Sequence, residues 1–226
     1  AFRSLNALAG FLPYTGSLKV NGVELRNLHP EGWRRMMSWV GQNPQLPAST
    51  LRENVLLGNP DASEQQLQQA LDKAWVSEFL PQLPDGIDTV VGEQAARLSV
   101  GQAQRVAVAR ALLAPCRLLL LDEPAASLDA HSEQRVMQAL TEASTQQTTL
   151  MVTHQLEGLT EWDAIWVMEN GQLIEQGTYL QLVDANGVFT SLLASRQVET
   201  SIRALLPYLA LLKRHNSPLS LAVILA

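Results

Sequence analysis

Residues 118–124 read LLLLDEP: four leucines, two adjacent acids and a proline. A short unbroken apolar run suits a central parallel strand, because such a strand is covered on both faces and shows no alternation. An Asp–Glu pair at the end of a buried strand is costly unless it meets a cation or takes part in chemistry. The leucines therefore set the fold class, and the two acids mark a place to look for a site.

The flanking segments fit that strand. Ser99 is placed to cap a helix running to about Leu113, and Asp129 to cap another through about Ser144. Residues 148–154, TTLMVTH, form a β-branched strand ending on His154, and residues 37–42, MSWVGQ, form one ending in Gly41-Gln42. Segments 17–25 and 164–177 read as hairpins turning at Asn21-Gly22 and Asn170-Gly171. Ser63 and Gln66 make a capping box that opens a helix through about Ala74. A short helical piece starts at Leu51, residues 88–99 read as a loop, and two short helical segments follow the second hairpin. Strands alternating with helices, with hairpins at each end, predict an α/β domain around a mainly parallel sheet.

A chain of 226 residues is long enough for a domain with a real core, and 46% hydrophobic with 17% charged residues excludes disorder. The net charge of -6 argues against a nucleic-acid partner, which leaves a basic footprint. The single cysteine, Cys116, has no internal partner for a disulfide and fits a reducing compartment. Just ahead of the leucine run, it reads as a small buried hydrophobe.

Ligands of open α/β sheets gather at the carboxyl ends of the strands. Three such ends carry polar groups: Gln42, the Asp122-Glu123 pair and His154. An amide, two carboxylates and an imidazole suit phosphoryl transfer to water. Asp122, with Gln42, is suited to hold Mg2+, and Glu123 to deprotonate the attacking water. Gln42 can sense metal and water, and His154 can donate a hydrogen bond to the γ-phosphate. Each group also has a plainer use, as a satisfied strand-end histidine, a solvated amide or an acidic turn.

Two further stretches change that weighing: LSVGQAQR at 98–105, ahead of the strand, and SLD at 127–129, just after Pro124. With these in order, the chain resembles the nucleotide-binding domain of ABC transporters over roughly residues 4–197. LSVGQ corresponds to the signature, LLLLDE to Walker B, SLD with Asp129 to the D-loop, His154 to the switch and Gln42 to the Gln-loop. The resemblance implies a P-loop NTPase-like ABC ATPase fold that binds ATP and Mg2+. It also implies a head-to-tail dimer in which Ser99, Val100, Gly101 and Gln102 meet the nucleotide of the other subunit. A serine-capped helix start is a natural anion site. Val100 stands where the family has its first signature glycine. GQNPQLPASTLRENVLLGNP and TVVGEQAARLS resemble the exporter-type segments that touch membrane domains. The implied partners are transmembrane domains and a second ABC half-transporter, at the cytoplasmic face of the bacterial inner membrane. The likeness is strongest to one half of a heterodimeric exporter linked to cysteine and glutathione export and to cytochrome bd assembly. A soluble ABC ATPase of another pathway and an inert fragment stand as alternatives.

The phosphate-binding motif G-x-x-x-x-G-K-[ST] is absent from the sequence. SLNALAGFLPYTGSLKVNG resembles the helix after that loop and the hairpin beyond it. An N-terminally truncated domain over 1–197 is expected, with a degenerate site as the alternative. Either way ATP binding by the chain alone is expected to be weak, since each missing charge-assisted hydrogen bond is worth roughly 1.5–3 kcal/mol. Residues 198–226 stand apart: apolar, but interrupted by Lys213, Arg214 and His215 and too short for a clear span. RALLPYLALLKRH resembles the start of a partner half, a lead into its first transmembrane helix. An amphipathic helix packing on the domain is the other reading.

Overall fold

Capping and turn residues set most of the element boundaries. The computed structural model describes residues 2–92, 98–156, 158–195 and 221–225. It divides into a unit over residues 1–149 and a unit over residues 150–226, each described by itself.

The first unit opens with α1 (Phe2–Leu8), followed by the antiparallel hairpin of β1 (Lys19–Val20) and β2 (Val23–Glu24). Its turn residues Asn21 and Gly22 take φ of 48° and 82°, the left-handed conformations that a tight hairpin needs. In α2 (Pro30–Arg34), buried Trp33 donates its indole N–H to the Leu8 carbonyl at 2.7 Å, tying this helix to the end of α1. Next come β3 (Met37–Val40), β4 (Ser49–Thr50), α3 (Leu51–Leu56) and α4 (Glu64–Lys73). After them come β5 (Val90–Val91), α5 (Val100–Leu113), β6 (Leu118–Asp122) and α6 (Ala130–Ser144). Thr50, Ser63 and Ser99 each close a full capping box on the helix that follows.

β3 and β6 pair in parallel, with Met37 opposite Leu118 and Val40 opposite Leu121. Leu119, Leu120 and Leu121 are all 0% exposed, as a strand covered on both faces requires. The helices α3, α4 and α6 pack around α5, which is buried along most of its length. Buried Arg105 on α5 donates to the Trp75 carbonyl at 3.0 Å and to Glu78 at 2.9 Å. Its guanidinium lies over the Phe79 ring, 4.9 Å from the centroid, joining α5 to the segment after α4.

One expectation is corrected here. Residues 88–99 are not all loop, because Val90–Val91 form β5 and pair antiparallel with β4, Ser49 opposite Val91 and Thr50 opposite Val90. A two-residue ribbon is too short to show a period, so no pattern announces it. Gly92 permits it: its φ is 118°, and a Cβ there would fall 2.8 Å from the Ala48 Cα. Residues 93–97 of that segment lie outside the described residues.

The second unit takes up β7 (Thr148–Thr153) from Leu150 on and adds β8 (Ala164–Glu169), β9 (Gln172–Gly177) and α7 (Tyr179–Ala185). A helical segment over 188–195 follows, and then β10 (Leu221–Leu225). β8 and β9 form the second hairpin, with Asn170 and Gly171 at φ of 49° and 79°. β10 pairs in parallel with both β7 and β8, so the tail contributes a strand at 221–225. Residues 196–220, which include most of the 198–226 tail, lie outside the described residues. Among the described residues no helix is long and apolar enough to cross a membrane.

Truncation of the central strand tests this account of the core. Leu120→Ala is expected to destabilise the first unit by about 2–5 kcal/mol, read as a lower denaturant midpoint at unchanged slope.

Candidate functional site

The site begins where β6 ends. Asp122 is its last residue and is 6% exposed; Glu123, 8% exposed, follows at φ 50°. A left-handed conformation is uncommon for a residue with a Cβ, and such strain of about 1–3 kcal/mol tends to sit at functional positions. The turn continues with the Ala126 N–H donating to the Glu123 carbonyl at 3.2 Å and the Leu128 N–H donating to the Ala125 carbonyl at 3.1 Å. Burial first, and the neighbouring Glu123 charge second, push the Asp122 carboxyl above its ordinary value.

Gln42 lies just beyond β3, and β3 runs parallel beside β6, so both strands end at the same edge. Gln42 and Asp122 together line a cavity of about 310 Å³ whose wall includes Asn6, Phe11 and Trp39. The Phe11 and Trp39 rings are 6.5 Å apart and tilted by 52°. No group of three or more His, Cys, Asp or Glu side chains suited to a metal occurs among the described residues. Mg2+ needs only one or two protein oxygens when nucleotide phosphates and water fill the rest. Asp122 and the Gln42 amide oxygen are such donors.

At the start of α5, the Ser99 hydroxyl accepts from the Gln102 N–H at 3.1 Å, and the Gln102 side-chain oxygen accepts from the Ser99 N–H at 2.9 Å. The capping box thus uses Gln102 within the helix start, while the N–H groups of the first turn have no helical partners. Gly101 presses this turn against the next loop: a Cβ there would lie 3.0 Å from the Ser127 carbonyl oxygen. Val100 is 60% exposed, an apolar side chain facing solvent at the helix tip. Asp129 caps α6, its Oδ1 accepting from the N–H groups of His131 at 3.1 Å and Ser132 at 3.0 Å. Hydrogen bonds from Ser132, side chain first and backbone second, hold its carboxyl down at about 2. That stabilising contribution is present above the ordinary value of 3.8 and is lost as pH falls toward about 2.

His154 is the first residue after β7 and is exposed; it belongs to the second unit. Gln42, Asp122, Glu123, Ser99, Val100, Gly101, Gln102 and Asp129 all belong to the first. One polar residue escaped the reading of the sequence. Gln104 on α5 is 0% exposed, and its amide nitrogen donates to the carbonyls of Gly41 at 3.1 Å and Pro124 at 2.9 Å. The available signal was an amide on the apolar side of a helix.

The family model described as ABC transporter matches residues 4–126. The glutathione/L-cysteine transport system ATP-binding/permease protein CydD of Escherichia coli is 74% identical over 195 residues, 86% of this chain and 33% of that protein. The transport ATP-binding protein AarD of Providencia stuartii is 63% identical over the same length, again 86% of this chain and 33% of that protein. The structure of a bacterial Atm1-family ABC exporter with ATP bound is similar at a TM-score of 0.78 and 30% identity, covering 86% of this chain and 34% of that one. The chain therefore spans about a third of the length of these relatives.

The raised Asp122 value has a direction that can be measured. An ionised carboxylate costs the folded state, so Asp122→Asn is expected to raise the unfolding midpoint at neutral pH. The gap should close as pH falls through the raised folded value toward the ordinary 3.8, as thermal melts along a pH series would read.

Proposed function

The chain belongs to the ABC transporter family, and we propose that it is the ATP-hydrolysing domain of an ABC exporter, acting as a domain over residues 1–197. One observation carries this reading: a leucine strand ends in buried Asp122 with buried Glu123 directly after it, and Asp122 lines, with Gln42, a cavity roomy enough for water and phosphate oxygens. Glu123 is the base. Its turn carries the carboxylate off the end of the strand, and it takes the proton as water attacks the γ-phosphate. Asp122 and Gln42 would hold Mg2+, which supplies charge neutralisation on the nucleotide phosphates. Gln42 orients the water, and His154 donates a hydrogen bond to the γ-phosphate as charge develops there.

The exposed tip of α5 supplies the rest from across a dimer. Ser99, Val100, Gly101 and Gln102 meet the nucleotide of the facing protomer, and Asp129 lies in the loop that Gly101 presses against. The partner is a second ABC half-transporter with its transmembrane domains, at the cytoplasmic face of the bacterial inner membrane. The cargo follows the CydD relative, whose name specifies glutathione and L-cysteine. The phosphate-cradling motif is not among these 226 residues, so hydrolysis is assigned to the intact transporter.

ATPase measurement on that intact transporter tests the reading. Glu123→Gln is expected to lower kcat by about 10²–10⁴-fold while nucleotide binding persists. Hydrolysis left intact in that variant would remove Glu123 from the role of base.

A further inference from the structure

Gln104 stands in the second turn of α5, the helix whose first residue follows Ser99. It is completely buried, and a buried amide needs partners for its two N–H groups. Both find backbone carbonyls: Gly41 at 3.1 Å and Pro124 at 2.9 Å. These carbonyls are far apart in sequence, yet each adjoins a residue of the proposed site. Gly41 directly precedes Gln42, and Pro124 directly follows Glu123. The amide cannot be turned around, because its oxygen would then face two carbonyl oxygens. Gln104 Oε1 has no hydrogen-bond partner among the described residues, so only the NH2 end is engaged.

We propose that Gln104 is a positioning residue that links the Ser99 end of α5 to both Gln42 and Glu123. One planar NH2 group fixes the spacing between the start of the Gln42 loop and the end of the Glu123 turn, and it holds both to the helix. A shift of α5, such as engagement of its tip by a nucleotide on a facing protomer, must move these two carbonyls together or break the bonds. The geometry therefore lets contact at Ser99 be felt at the base and at the water-orienting amide through a single side chain. The inference rests on the functional reading above and deepens it.

The test uses the full-length transporter with its partner. Gln104→Leu removes both donors at similar size, and Gln104→Met is read by the same criteria if the leucine variant does not fold. kcat is expected to fall roughly 10- to 100-fold, the scale of a small misplacement of catalytic groups. The ATP concentration for half-maximal rate should stay within about twofold, and the folded fraction at the assay temperature close to wild type although the thermal midpoint falls with the two lost bonds. A cycle with Ser99→Ala separates positioning from mere support of the fold. In the Gln104→Leu background the loss caused by Ser99→Ala should shrink at least about threefold, because the two residues act through one connection. Unchanged kcat, fully multiplicative losses, or a rate loss matching the loss of folded protein would overturn the proposal. Wild-type hydrolysis and its loss in Glu123→Gln are measured alongside. If those fail, the assignment of the ATPase fails; if they hold and the Gln104 results do not, only the linkage fails.

Discussion

Two carboxylates on consecutive residues, both withdrawn from water at the end of a leucine strand, form the constraint from which the rest of the first unit follows. The Asp122 charge is unfavourable to the fold, because burial pushes the carboxyl toward its neutral form. The arrangement persists because β6 is locked on both faces, with Leu119, Leu120 and Leu121 fully buried and its pairing with β3 in register. On the proposed reading, stability is given up at this point for chemistry, a common exchange at active sites. The left-handed turn at Glu123 is part of the same exchange.

A rigid strand alone does not make a site, and the helix beside it supplies the reference frame. α5 carries an exposed capped tip at one end and a guanidinium, Arg105, packed under Phe79 in its second turn. Between them Gln104 reaches the two loops that leave β3 and β6. Close approach is enforced elsewhere by the absence of side chains, as where Gly101 meets Ser127. The loops that leave β3 and β6 are thus held by single polar contacts to one buried helix.

Much of this was legible in the residues. The leucine run, the Asn-Gly turns and the serine caps have local causes, and the elements they predict appear within a residue or so of their expected ends. Their residue types likewise predict Ser99 and Asp129 as the caps of helix starts, and both cap helices in the structure. The β4–β5 ribbon was not legible, because its two residues per strand carry no period and its partners are distant in sequence. Gln104 was missed for a related reason: its carbonyl partners are backbone atoms, which leave no trace in residue types. The cavity walls contributed by Asn6 and Trp39 likewise depend on tertiary packing rather than on any motif.

The ribbon has a consequence for how this part of the chain acquires order. Thr50 is both the last residue of β4 and the N-cap of α3, and the Leu51 N–H donates to the Thr89 carbonyl at 3.0 Å. A helix of only six residues has little independent persistence. Beyond its own capping box, its first turn is fastened by a segment some forty positions away, so local sequence alone holds α3 weakly. It forms when the loop between them closes, and the two pieces fray and anneal as one cooperative foldon.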